Sequence, residues 1–175
     1  MSIKEETIFS VSLSMTAIFI VVLIMTGSLT VTLLVVMAVL LVILFLMGLL
    51  HFWDLTFNLI VLVNIVISIG LAIDYSAHIG HTYLMIECPP DLVTNSSKRK
   101  FKAQKALSQM GSSVFHGGIS TFIAICILGF AKSYIFTVFF RLWFGIIVFG
   151  IANGFLFIPV MLSCIGPIER SGNTE

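Results

Sequence analysis

Long apolar segments are the feature that most constrains the fold of this chain. Five of them, each at least 18 residues long, carry few charged side chains. A helix rises about 1.5 Å per residue, so about 20 residues cross the roughly 30 Å hydrocarbon core of a bilayer. The segments therefore predict an all-α membrane protein built as a bundle of five transmembrane helices. The predicted spans are 8–25, 31–50, 55–83, 113–130 and 136–164.

Composition supports a membrane protein and argues against several other classes. Hydrophobic residues make up 59% of the 175 residues and charged residues only 10%, compared with about 25% charged residues in soluble domains. The net charge of +1 and the lack of a basic face with interleaved aromatic residues argue against nucleic-acid binding. Cys88, Cys126 and Cys164 have no metal-ligand spacing and imply no disulfide framework. Because no nucleophile with a positioned base is evident either, we expect no metal, no cofactor and no enzymatic activity.

Asp74 places a carboxylate inside the third apolar segment, where hydrocarbon is expected. A charge at the centre of a membrane helix costs about 2.5 to 3.5 kcal/mol on insertion scales, so such residues usually face a cavity or a partner. On a helix, Asp74 shares one face with Gly70, His78 and His81. His78 lies about 6 Å and His81 about 10 Å along the axis from Asp74. This face predicts a proton path from the middle of the membrane to one surface.

Two further interpretations of these polar residues stay open. His116 in the fourth span is a candidate proton-relay partner of Asp74, although a histidine in a bundle can also serve packing alone. Asp74 itself can have a structural role, because a polar side chain that pairs with a neighbouring helix holds a membrane bundle in register.

The stretch 91–109 is the most polar part of the chain and sets the predicted topology. It contains five of the nine basic residues, which are Lys98, Arg99, Lys100, Lys102 and Lys105. By the positive-inside rule this stretch is cytosolic, so the amino terminus is luminal or extracellular and the carboxyl terminus is cytosolic. The predicted organisation is an outside tail at 1–7, three spans in 8–85, a cytosolic basic loop at 86–112, two spans in 113–167 and a cytosolic tail at 168–175.

The basic loop also contains an amphipathic pattern. Apolar residues recur at helical spacing at Ala103, Ala106, Leu107 and Met110. This pattern predicts a short interfacial helix that lies on the membrane surface before the fourth span begins.

Small residues mark the faces on which the spans are expected to pack. They are Gly70 in the third span, Gly117 and Gly118 in the fourth, and Gly150 and Gly154 in the fifth. Because these positions carry no side chain, the backbones of two helices can approach closely there. Arg141 and Trp143 are expected to anchor the start of the fifth span at the outer interface. Pro159 is expected to kink this span, and Gly166-Pro167 to end it.

Four strings, in order and at matching spacing, resemble one group of membrane proteins. They are GLAIDY at 70–75, ALSQMGSSVF at 106–115, GFAKSYIF at 129–136 and FLFIPVMLSCIGP at 155–167. These strings are similar to the carboxyl-terminal membrane half of the Niemann-Pick type C, Patched and Dispatched group of the resistance-nodulation-division superfamily. The resemblance covers about residues 8–167 and implies that the five spans match helices eight to twelve of the full architecture.

The resemblance implies part of a sterol or lipid transporter, or of a Patched-like receptor, that is coupled to protons or another cation. Asp74 matches an acid in the Gly-x-x-x-Asp/Glu pattern of the group, whereas His78 and His116 are candidates from helical spacing alone. The expected partners are a sterol or other lipid and the missing amino-terminal half of the same protein, in an endolysosomal or plasma membrane. The open alternative is a module that senses sterol or docks a partner helix without transport.

Overall fold

Long helices make up most of the part of the chain that the structure describes. The computed structural model describes residues 3–55, 58–90, 94–130 and 133–168. The helices are α1 (Ile3–Thr26), α2 (Leu29–Phe52), α3 (Leu59–Met85), α4 (Asn95–Gly129), α5 (Tyr134–Ala152) and α6 (Ile158–Ile165), with a π-helical turn at Asn153–Phe157 between the last two. Within the described ranges, five helical segments are long and apolar enough to cross a membrane, the fifth formed by α5, the π turn and α6 together.

These segments confirm the predicted all-α membrane fold with five spans. The first helix already begins at Ile3, so the described part of the predicted outside tail is helical. All of the predicted cytosolic tail except Ile168 lies outside the described residues.

Local side-chain chemistry explains where the first helices end and begin. α1 ends at Thr26 and is followed by Gly27, whose φ of +60° is a conformation that glycine adopts at low cost. The hydroxyl groups of Thr26 and Thr32 lie 3.0 Å apart across the short connection to α2. Asn58 caps α3, since its side-chain oxygen accepts a hydrogen bond from the backbone N–H of Val61 at 3.1 Å.

The central helix of the bundle is α3. It packs against α1, α2, α4, α5 and α6. Half of its most apolar window is buried within the chain, compared with 6% for α1. Its polar residues Asn64 and Ser68 are fully buried. Packing therefore sets the positions of the side chains on the buried faces of α3, whereas one face, which includes Gly70 and Asp74, is exposed.

α4 runs without a break from Asn95 to Gly129, so the predicted interfacial helix is the first part of a 35-residue helix. At 1.5 Å per residue this helix is about 52 Å long, which exceeds the thickness of the hydrocarbon core. Its first turns bury Ala103 and Ala106, and α4 packs against α6 as well as α3 and α5. The amphipathic stripe therefore packs on protein, with Ala103 and Ala106 buried and Leu107 and Met110 half-buried.

The disturbance expected at Pro159 is a π-helical turn that precedes it. The turn covers Asn153–Phe157, and Pro159 is the second residue of α6. Proline has no backbone N–H and clashes with the preceding turn of a helix, and π turns are one way in which a helix accommodates such a defect. The Asn153 side chain is buried and donates a hydrogen bond to the Phe149 carbonyl oxygen at 2.9 Å.

Trp143 connects α5 to the central helix. Its indole N–H donates to the side-chain oxygen of buried Asn64 at 2.9 Å, and Asn64 in turn donates to the Ile60 carbonyl at 2.8 Å. The sequence indicated an interfacial anchor at Trp143, but its N–H is directed into the bundle, since a buried indole N–H needs a hydrogen-bond partner. Arg141 lies with its guanidinium 5.7 Å from the centre of the Trp53 ring.

Replacing Trp143 with Phe is expected to remove the hydrogen bond to Asn64 while retaining an aromatic ring. Interhelical hydrogen bonds in membrane proteins are worth about 0.6 kcal/mol on average and at most about 1.7 kcal/mol. In a double-mutant cycle with Asn64→Leu, we expect a coupling free energy in this range, measured by reversible unfolding in lipid bicelles. A coupling free energy of zero would contradict a stabilising role for the pair.

Candidate functional site

Asp74 lies near the middle of α3 and lines an open cleft between α3 and α4. The cleft has a volume of about 490 Å³. Its polar lining residues are Asp74, Tyr75, His78, Ser113 and Thr121, and Gly117 contributes bare backbone. The cleft therefore combines an acid, an imidazole and three hydroxyl groups at the depth expected for hydrocarbon.

The structure brings Asp74 and His78 together on this cleft. They are one helical turn apart on α3, and both side chains are exposed on the surface of this chain. Across the described ranges, no side chain forms an ion pair or hydrogen bond with Asp74. His81 is half-buried and lies outside the cleft lining. The arrangement can accept and release a proton or hold a cation, because the carboxylate is open to whatever fills the cleft.

His116 does not line the cleft. Its Nδ1 lies 2.6 Å from the carbonyl oxygen of Ser112, one turn earlier on α4, and its side chain is exposed. Successive residues on a helix are rotated by about 100°. Gly117 and Ser113 occupy the direction that faces Asp74, which turns His116 away from it. The polar side chains that α4 contributes to the cleft are instead those of Ser113 and Thr121.

Tyr75, like Ser113 and Thr121, is a residue of this site that sequence reasoning missed. Its side chain is buried, and a Cβ added at Gly150 would lie only 2.7 Å from the Tyr75 ring. A Cβ at Gly154 would lie 3.1 Å from the Tyr75 carbonyl oxygen, and one at Gly118 would lie 3.8 Å from its hydroxyl group. A tyrosine next to the acid, with glycines spaced four apart on a later helix, was the available signal in the sequence.

The contact of Tyr75 with these glycines orients the acid. Tyr75 must point toward α5 because its ring occupies the space that a side chain at Gly150 would fill. Asp74 is rotated by about 100° from Tyr75 on the same helix. The packing that buries Tyr75 therefore also holds Asp74 on the side that faces the cleft.

The five small residues predicted to support packing have two different environments. Gly118, Gly150 and Gly154 lie at interhelical contacts, with a Cβ at Gly118 only 2.5 Å from Ile151 Cδ1. A Cβ at Gly70 or Gly117 would meet nothing within 4 Å. The first group supports packing within this chain, whereas the second leaves bare backbone on its surface.

Comparison with known proteins finds relatives that match nearly the whole of this chain. No family model matches it. The chain is 33% identical over 170 residues to NPC intracellular cholesterol transporter 1 of Sus scrofa, and 34% identical over 176 residues to NPC intracellular cholesterol transporter 1 homolog 1b of Drosophila melanogaster. These matches cover 95% and 97% of this chain. The chain is a relative of the Niemann-Pick type C proteins.

A third relative extends the match beyond animals. A Niemann-Pick type C1-related protein of Toxoplasma gondii is 34% identical over 122 residues, or 70% of this chain. These relatives confirm the resemblance to the Niemann-Pick type C proteins, and the two animal proteins are named as transporters and not as enzymes. The chain spans only 13% of the length of the two animal relatives and 10% of the third. It therefore corresponds to a small membrane part of a transporter-type protein.

Substitution of the adjacent residues Gly117 and Gly118 tests whether their environments differ. Gly118→Leu is expected to lower the free energy of unfolding by about 1 to 3 kcal/mol, as overpacking typically does, because the new side chain meets Ile151. Gly117→Leu changes helix propensity equally but enters open space, so we expect stability close to that of the unchanged protein. Unfolding of both variants in nanodiscs measures the difference. Equal losses of stability would contradict the packing described for Gly118.

Proposed function

We propose that this chain is part of the membrane region of a sterol or lipid carrier, and that Asp74 binds and releases a proton or other cation during transport. The observation that carries the proposal is the open cleft in which an exposed carboxylate in the middle of a spanning helix lies one turn from His78. The names of the two animal relatives, which describe cholesterol transporters, support the choice of a sterol or other lipid as cargo.

The physical basis of coupling is the different cost of a carboxylate in wet and dry surroundings. An ionised carboxylate without partners is costly in an apolar environment and is stabilised by water or a cation. A cleft that opens to water favours the ionised form of Asp74, whereas a cleft that closes favours the protonated form. Movement of α4 relative to α3 would in this way be linked to uptake or release of a proton. His78 lies about 6 Å further along the axis and can relay that proton.

The membrane potential is large enough to bias such a cycle. A charge that crosses the whole membrane gains about 2.3 kcal/mol per 100 mV. A charge that moves half of this distance, from one surface to a site in the middle of the membrane, gains about 1.2 kcal/mol, or about sevenfold in population. One carboxylate in this cleft therefore suffices for a modest shift between two conformations.

The remainder of a longer protein is the proposed partner of the cleft. The relatives are about eight to ten times longer than the matched region, and Asp74 and His78 face outward from this chain. We propose that the amino-terminal half of the same protein packs over this side and closes the cleft. In this arrangement the basic residues 98–105 are cytosolic and the amino terminus is luminal or extracellular, in an endolysosomal or plasma membrane.

Asp74→Asn in the intact protein tests the proton or cation role. The substitution keeps the size of an exposed side chain, so we expect normal folding but sterol or lipid transport reduced to background in cells that lack another carrier. His78→Gln is expected to reduce transport in part. Glu87→Gln is the matched control, because it removes one exposed carboxylate after the end of α3. Near-normal transport by Asp74→Asn, with the protein folded and correctly located, would overturn the proposal.

The bare backbone at Gly70 and Gly117 favours a second candidate function. In this alternative the chain senses sterol or docks a partner helix without carrying cargo. A helix could approach these two positions closely, since a Cβ at either would meet nothing within 4 Å. Here Gly117→Leu would harm function more than Asp74→Asn. The order of the two effects distinguishes docking from transport.

A further inference from the structure

A second groove lies between the first half of α4 and the last part of the fifth span, formed by the π turn and α6. Its volume is about 270 Å³. α4 contributes Lys100, Gln104 and Leu107 to the lining, whereas the π turn and α6 contribute Phe155, Val160 and Ser163. None of these residues lines the Asp74 cleft.

The groove changes from polar to apolar along its length. Lys100 and Gln104 are exposed and lie near the start of α4, while Ser163 is near the end of α6. Leu107 lies about 10 Å further along α4 than Lys100, and Phe155 lies about 12 Å from Ser163. Because both walls change in the same direction, the groove matches a molecule with a polar head and an apolar tail. The exposed side chain of Val160 lies between the two ends.

The charge at the polar end is positive and unopposed within the two walls. Residues 95–168 contain no Asp or Glu. Other basic residues near this end contact protein groups, since Arg99 donates to the Cys164 carbonyl at 2.9 Å and Lys102 lies 5.8 Å from the centre of the Tyr83 ring. Lys100 is the basic residue that lines the groove.

We propose that this groove binds an anionic phospholipid from the membrane leaflet on the basic side of the bundle. The phosphate of the lipid contacts Lys100, with Gln104 and Ser163 as neutral hydrogen-bonding partners. An acyl chain lies along Leu107, Val160 and Phe155. Basic residues close to the end of a spanning helix attract anionic lipids, and the apolar continuation of the groove adds a site for the tail. This lipid site is separate from the proposed transport role of Asp74.

Defined lipid mixtures test the site in the intact protein. The protein is reconstituted in phosphatidylcholine nanodiscs with or without phosphatidylserine, and the lipids that it retains are counted by native mass spectrometry. Lys100→Gln is expected to lower retained phosphatidylserine about fivefold, which is the effect of losing one direct exposed ion pair between an ammonium group and the lipid phosphate. Val160→Trp is expected to lower retention as well, because the indole ring fills the apolar part of the groove. Thermal unfolding confirms that both variants are folded.

Lys105→Gln is the matched control. It removes the same charge from the same helix, and Lys105 is exposed as Lys100 is. Lys105 differs because it lies 5.4 Å from the Phe101 ring centre and does not line the groove. We expect less than a twofold change in retained phosphatidylserine. If Lys100→Gln and Lys105→Gln lower retained phosphatidylserine equally, the lipid is held by general attraction to a basic surface and not by this groove, which would overturn the proposal. Unchanged retention by Val160→Trp, equal retention of phosphatidylcholine, or displacement of phosphatidylserine by sterol would also overturn it.

Discussion

The contact between the Tyr75 ring and the bare backbone at Gly150 is the interaction on which the arrangement of the bundle depends. Lipid tails are as apolar as leucine, so helices in a membrane associate through close van der Waals packing and hydrogen bonds instead of through the hydrophobic effect. Tyr75 places its ring against Gly150, its carbonyl oxygen against Gly154 and its hydroxyl group toward Gly118. One residue of the central helix thereby contacts α4, α5 and the π turn, and its orientation determines the direction of Asp74.

The polar residues of the bundle fall into two groups with different consequences. Ser68 and Asn153 are buried and donate to carbonyl groups of their own helix, so they need nothing from outside the chain. Trp143 and Asn64 satisfy each other across two helices. Asp74 and His78 face an open cleft. Since an unpartnered charge is costly in hydrocarbon, these two residues indicate where water, a cation or further protein must be supplied.

Hydropathy predicted the spans because segment length and charge alone decide whether a helix can cross a bilayer. Hydropathy could not predict which surface each helix presents to its neighbours. Gly117 and Gly118 are adjacent glycines, yet Gly117 faces open space and Gly118 contacts Ile151. His116 is turned away from Asp74 for the same reason, because the rotation of α4 is set by tertiary packing. The amphipathic pattern around Ala106 fits either a membrane surface or a protein neighbour, and only the contact with α6 decides between them.

The π turn connects the Asp74 cleft to the groove between α4 and the last part of the fifth span. Gly154 and Phe155 are successive residues of this turn. Gly154 contacts the backbone of Tyr75, which lines the cleft, whereas Phe155 lines the groove and lies against Gly111 of α4. A π turn contains one more residue per hydrogen-bonded ring than an α-helix, so converting it to an α-helix would rotate the residues on one side of it relative to the other. Any such change would alter the contacts of Tyr75 and Phe155 together, since both rest on the same segment of backbone.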